Sequence, residues 1–350
     1  RKTLNSILDN TAKRIDIFNI IKICVFLDIN LDNYMKLFLA STNTETQKEL
    51  EIIRKSNFIN QFFDIDNLKR ARFIKTNEVQ HIEKRIKNFF GFDSLFEYLD
   101  NKCFPAFSRT KNRSNNLMRD FWVNSAYIQF TEIANSNEYK RELLLEIIPK
   151  IRPYTMNIEK GLLSVARALF NIGITVIYQP YLPTVQVRGA TLIVNNKPCI
   201  VLTDYNKSYP TIWFALIHEL HHVLYDLEDI ERRVYHLTGE LDIFLTNEDL
   251  ANDFARDFLF SKEKSKYIEP FIDNEYVINE YARECQIHPS FIYNFYMYDK
   301  NELGNKFVWG KYNKYFPDIK SAIKSFNLNP FEKESLKEVA KELKKSVFNL

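Results

Sequence analysis

The sequence predicts a mostly helical α+β fold, with a small β-sheet set between helical N- and C-terminal units. Three observations predict it. Apolar residues recur at helical spacing through most of positions 16 to 173 and again beyond 247. Between these stretches the period shortens to β-rich runs at 174 to 178, 189 to 194 and 199 to 203. Only seven of 350 residues are glycine, which argues against a turn-dense all-β architecture. The expected organisation is a helical region over 1–104, a core over 105–265 and a second helical region over 266–350.

The elements follow in order. "DIFNIIKICVFLDI" (16–29) is apolar on most faces, and "DNYMKLFLAS" (32–41) follows a polar break. "TQKELEIIRKSNFINQFF" (46–63) is amphipathic, with Leu50, Ile53, Phe58, Ile59 and Phe62 on one side. "EVQHIEKRIKNFFGF" (78–92) repeats the design with Ile82, Ile86, Phe89 and Phe90; His81 on this helix has no histidine nearby and reads as solvated or capping. From Lys102 to Arg119 there are five basic residues and no acidic one. A solvated linker is the first reading of this stretch, and a patch for nucleic acid or an acidic partner is the second. The segments 117–135 and 158–173 read as long amphipathic helices, the second ending at Gly173. Asn195-Asn196, before Pro198, supplies a turn between the last two β-rich runs. Helical spacing returns at 247–260 and 277–285. In the last helix Leu336, Val339, Ala340, Leu343 and Val347 form one stripe, read as a packing face.

Bulk properties exclude several classes. A formal net charge of +3 is too small to identify a nucleic-acid partner. Cys24, Cys103, Cys199 and Cys285 form no CxxC pair and no disulfide framework, so a reduced cytoplasm is expected. No apolar run approaches the roughly 18 residues of a membrane span, and no membrane partner is expected. Abundant Lys, Asn, Ile, Phe and Tyr with little Gly is the usage of an AT-rich bacterial genome. The chain opens on Arg1, and a segment upstream of it is expected.

The chemistry concentrates in "IHELHHVLYD" (217–226), where three of the six histidines fall between His218 and His222. On a helix, residues i and i+4 share a face, so His218 and His222 can offer nitrogens to one ion. Glu219 then stands beside them as general base. This is the HExxH arrangement of zinc peptidases, with Zn²⁺ as the expected cofactor. His221 is left as a bystander or outer group. The apolar "TIWFALI" before His218 fits a buried helix that presents its ligands to a cleft. The longer HExxHxxGxxH motif is excluded, because Tyr225 and Glu228 stand at its Gly and last His. A carboxylate must therefore complete the set. Glu248 is chosen, one turn before Asn252 on a helix whose Ala251 and Ala255 permit close approach. Asp249 and Asp253 are the alternatives, and helix-dipole stabilisation is the competing role for Glu248. His236, Tyr225 and Tyr235 are unranked candidates for stabilising an oxyanion.

"WFALIHELHHVL" followed by "NEDLANDFARDFL" resembles the ImmA/IrrE family of bacterial metallopeptidases, as do "VRGATLIVNNKPCIVLT" before them and "YARECQIHP" after. The resemblance covers about 105–300. It implies a zincin-like core, zinc held by His218, His222 and Glu248, and Glu219 as general base. Two positions depart from the family pattern: His221 replaces a common Gly, and Ser261 a common Pro. The N-terminal segments resemble the end of a Cro/repressor-type helix-turn-helix module and its connecting helices, as in one subset of the family. The function so implied is a zinc endopeptidase that cleaves a protein partner, a repressor or antitoxin, in bacterial stress, mobile-element, toxin–antitoxin or defence regulation. The alternative is a DNA-binding regulator or antitoxin whose peptidase-like part senses or scaffolds. DNA, through the upstream module, and a second copy of the chain are further candidate partners. Strand "GATLIV", if it is a sheet edge, could pair with extended substrate backbone.

Overall fold

The computed structural model describes residues 16–30, 33–34, 44–99, 117–205, 207–232, 235–238, 245–302, 308–326 and 328–349. Nearly all of the expected helix at 32–41 and the basic stretch 102–116 lie outside them. The chain divides into two compact units, Arg1–Gln61 and Phe62–Leu350. The second contains the sheet, the histidine cluster and the C-terminal helices.

In the first unit α1 (Ile17–Phe26) is capped by Asp16, whose carboxylate accepts the Phe18 N–H at 2.9 Å. Ile20 and Cys24 are its buried residues, while Phe18, Val25 and Phe26 are exposed. Of the apolar side expected on helix α2 (Thr44–Phe62), Phe58 and Ile59 are buried but Leu50 and Ile53 are exposed, and Glu51 pairs with Lys55 at i,i+4.

The second unit begins with α3 (Ile65–Arg70), capped by Asp64, and α4 (Val79–Phe90), whose Ile82, Ile86, Phe89 and Phe90 are all buried as their spacing predicts. Helix α5 (Leu117–Ile133) differs from the amphipathic helix expected there: it is buried on nearly every face, polar Asn124, Ser125 and Gln129 included. It can be so because it runs through the centre of the unit, and some of its polar groups find internal partners. The Gln129 amide donates to Gln179 Oε1 at 2.6 Å, and the Gln179 amide donates to the Trp122 carbonyl at 2.8 Å.

Helices α6 (Arg141–Ile151) and α7 (Gly161–Asn171) lead to the sheet. Gly173 ends α7 at φ 89°, and an added Cβ would meet the Tyr139 backbone nitrogen at 2.4 Å. Strands β1 (Thr175–Tyr178), β2 (Gly189–Val194), β3 (Lys197–Leu202) and β4 (Tyr235–Thr238) form one mixed sheet in the order β1-β3-β2-β4. β1 and β3 are parallel, and the other pairs are antiparallel. Asn195 (φ 54°) and Asn196 (φ 60°) form the two-residue β2–β3 turn, in the left-handed conformation that Asn tolerates best after Gly. β2 lies inside the sheet, between β3 and β4, so the condition for its pairing with substrate backbone is not met. The edges are β1 and β4, and β4 was not expected.

Helix α8 (Tyr209–Tyr225) packs against β2 and β3 and is buried along most of its length. α9 (Leu227–Glu231) turns the chain toward β4, and α10 (Leu245–Phe260) returns across α8. Ala251 and Ala255 are fully buried on α10, consistent with the close approach expected of them. Ser261 begins α11 (Lys262–Ile268) as its N-cap, accepting the Lys264 N–H. α12 (Glu275–Glu284), α13 (Ser290–Glu302), α14 (Val308–Tyr312), α15 (Ile319–Ile323) and α16 (Leu336–Leu343) complete the unit. The apolar stripe is a packing face: Leu336, Val339, Ala340 and Leu343 of α16 and Val347 in the π-helical turn after it are all buried, and α16 lies on α5. Among the described residues no helix is long and apolar enough to cross a membrane.

Candidate metal centre

Two crossing helices and a sheet edge assemble the site. α8 contributes His218, Glu219 and His222, which are essentially inaccessible to solvent. Glu248 comes from the first turn of α10 and is half-buried. His218, His222 and Glu248 each offer an atom to a common point, all within 4.8 Å of one another. The two Nε2 atoms are 3.1 Å apart, and Glu248 Oε2 and Oε1 lie 3.6 and 3.3 Å from those of His218 and His222. Asp249 and Asp253, the alternative carboxylates, are absent from every candidate ligand group among the described residues and line the adjoining cleft.

The outer partners decide which nitrogens face inward. His218 Nδ1 donates to Asn252 Oδ1 at 3.1 Å, and His222 Nδ1 donates to Asp226 Oδ2 at 2.7 Å. In the neutral Nδ1–H tautomers the two Nε2 lone pairs and the Glu248 carboxylate face one point. Without an ion, imidazole protons bridge to the carboxylate there, and a divalent cation takes their place. Nitrogens bound tetrahedrally to zinc at ~2.0–2.1 Å are about 3.3 Å apart, close to the spacing found here. The donor set of two imidazoles and one carboxylate therefore fits zinc with a position left open.

Titration behaviour follows the same logic. Burial pushes the His222 imidazolium down, but Asp226, Glu248 and Glu219 outweigh it and raise the group to about 9. Burial alone pushes the Glu248 carboxyl up, yet hydrogen bonds from His218, His222 and His236 hold it far below the usual carboxylate range. The point of convergence favours positive charge.

Glu219 has a separate pocket. Thr191 on β2 donates its hydroxyl to Oε2 at 2.6 Å, and Thr238 on β4 donates to Oε1. Gly189 lies against the carboxylate, where an added Cβ would stand 2.6 Å from Oε1. Thr238 also lines a cleft of about 990 Å³ that reaches His218 and Asn252 and is walled by α10 and α13. Thr238 thus both binds Glu219 and lines the cleft.

His236 on β4 faces Glu248 Oε1 at 2.6 Å and braces that carboxylate. Tyr225 is exposed, with its ring 4.8 Å from that of His221, and the Tyr235 side chain lies outside the described residues. Sequence reasoning placed Asn252 on the inward face with Glu248 but gave no role to Asp226, Thr191 or Thr238. Only the i,i+4 spacing of His222 and Asp226 could have signalled one of these in advance. No family model, no curated protein and no solved structure matches the chain.

Proposed function

We propose that the protein is a zinc-dependent endopeptidase of the ImmA/IrrE type, with a zincin-like core, that cleaves a protein partner such as a repressor or antitoxin in the bacterial cytoplasm. The observation that carries this reading is the convergence of His218, His222 and Glu248 beside a buried carboxylate at the end of a large cleft. His218, His222 and Glu248 hold the ion, with Asn252 and Asp226 fixing the two rings and His236 bracing the carboxylate. Zinc, when bound, supplies a Lewis acid and an activated water for peptide hydrolysis. Glu219 takes the proton from the attacking water and delivers it to the leaving amine. Thr191 and Thr238 keep its carboxylate in one orientation, and Thr238 is also a residue of the cleft wall.

Two variants test the reading. Glu219→Gln is expected to keep its zinc and lose cleavage of the partner protein; cleavage at the wild-type rate would sink the mechanism. Glu248→Ala is expected to purify with much less zinc than wild type. Full zinc content in that variant would transfer the third ligand to another carboxylate.

A further inference from the structure

The outer side of the His222 ring carries a second group of ligand atoms. His221, His222 and Asp226 each offer one ligand atom, and these lie within 4.8 Å of one another. Asp226 Oδ2 is 2.7 Å from His222 Nδ1 and 3.9 Å from His221 Nδ1. His221 is 7% exposed, and its Nδ1 is buried without a hydrogen bond. Burying an imidazole nitrogen with no partner costs free energy that packing does not require. The rings of Tyr225 and Phe254 lie 4.8 and 5.5 Å from His221, and an apolar side chain would fill that space without the penalty. The unused nitrogen is directed at the carboxylate that already engages the neighbouring ring.

We infer that His221, His222 and Asp226 form a second, weaker divalent-cation site that competes with the His218/His222/Glu248 site for the shared His222 ring. A neutral imidazole has one free lone pair. An ion on His222 Nδ1 displaces the hydrogen bond to Asp226 and leaves the ring proton on Nε2, where it donates to His218 Nε2 at 3.1 Å. In that state His222 cannot serve the inner site, so one ion occupies one site or the other. Two imidazoles and a carboxylate select zinc and its neighbours among the divalent transition metals over magnesium or calcium. The looser 3.9 Å spacing makes the outer site the weaker of the two. It captures an ion near the exposed end of α8, at Tyr225, and is emptied when the inner site fills. The inference shares a residue with the zinc site proposed above but does not depend on peptidase activity.

The test is equilibrium zinc binding by the metal-stripped full chain, with circular dichroism to confirm folding. Wild type and His221→Ala are expected to bind one zinc per chain with similar affinity. His218→Ala is expected still to bind one zinc, ~10–100-fold more weakly, and His218→Ala/His221→Ala to bind none at the same concentration. Should His218→Ala not fold, Glu248→Gln, on a half-buried side chain, replaces it in both roles. A folded His218→Ala that binds no zinc overturns the outer site and leaves the inner one standing. Equal binding by His218→Ala with and without His221 also overturns it. Loss of zinc in His221→Ala with undiminished binding in His218→Ala supports the outer site and removes the inner one, and a wild type that binds no zinc removes both.

Discussion

At the scale of single residues, the site depends on groups that fix other groups. Asn252 Oδ1 holds the His218 ring so that Nε2 points inward. Removing such an outer partner costs ~10–100-fold in metal affinity in known sites. Asn252→Ala is therefore expected to weaken zinc binding by about that factor, measured by competition with a chelator of known affinity; an unchanged affinity would show that the ring needs no such support. Gly189 has an equally specific role. A methyl group there meets Glu219 Oε1 at 2.6 Å, and Glu219 is fully buried between two threonine hydroxyls. The carboxylate cannot yield without breaking those bonds, so Gly189→Ala is expected to destabilise the fold by ~1–3 kcal/mol in urea unfolding. Wild-type stability in that variant would mean that Glu219 has room to move. His218, Glu219 and His222 stood out through helical spacing and the rarity of histidine, whereas Glu248 was picked over Asp249 and Asp253 by the small Ala251 and Ala255 on its helix and its place one turn before Asn252. Thr191 and Thr238 were not, since they reach Glu219 only through the pairing of β2 with β4.

At the scale of elements, the long periodic helices and the three β-rich runs could be read within a few residues of their ends. β4 could not: four residues, "YHLT", are too few to show alternation, and the strand exists because it pairs with β2. Without it, whether β2 is an edge stayed open in the sequence. α5 was misread for a related reason. Its polar residues suggest a solvent-facing side, but side-chain partners from the β1 region and its own backbone satisfy several of them inside the unit. Phe121 on α5 meets the rings of Phe63, Phe73, Phe89, Phe90 and Phe331, and thereby joins α4 and the segment before α16 to the centre of the unit. At 1% exposure it has no freedom to be replaced by solvent. Phe121→Ala is expected to cost ~3–5 kcal/mol, read as a shift of the urea midpoint at unchanged slope. A loss below about 1 kcal/mol would mean that neighbouring rings collapse into the space.

At the scale of the whole molecule, the α+β class was legible from the change of period along the chain, whereas the strand order and the crossing of α8 by α10 were not, because both are set by contacts distant in sequence. One such contact couples folding to pH. His288, between α12 and α13, packs its ring 5.5 Å from that of Tyr209 at the start of α8, and its Nδ1 accepts the Ser290 N–H at 3.2 Å. Burial pushes His288 down from 6.5 to about 4. The folded protein thus holds this ring neutral where the unfolded chain protonates it, so between pH 6.5 and 4 the unfolded state binds more protons and stability rises with pH. The contribution is complete above pH 6.5 and is lost as pH falls toward 4. The full shift corresponds to ~3 kcal/mol, and partial exposure of the ring reduces this to about 1–2 kcal/mol. His222 shifts in the opposite direction, so the net slope of the wild type mixes several histidines. The comparison that isolates His288 is urea unfolding of wild type and His288→Gln at pH 4.5 and 7.5. Wild type is expected to lose about 1–2 kcal/mol more than the variant on acidification. A stability gap that stays constant between the two pH values would show that His288 is as free to protonate in the folded protein as in the unfolded chain.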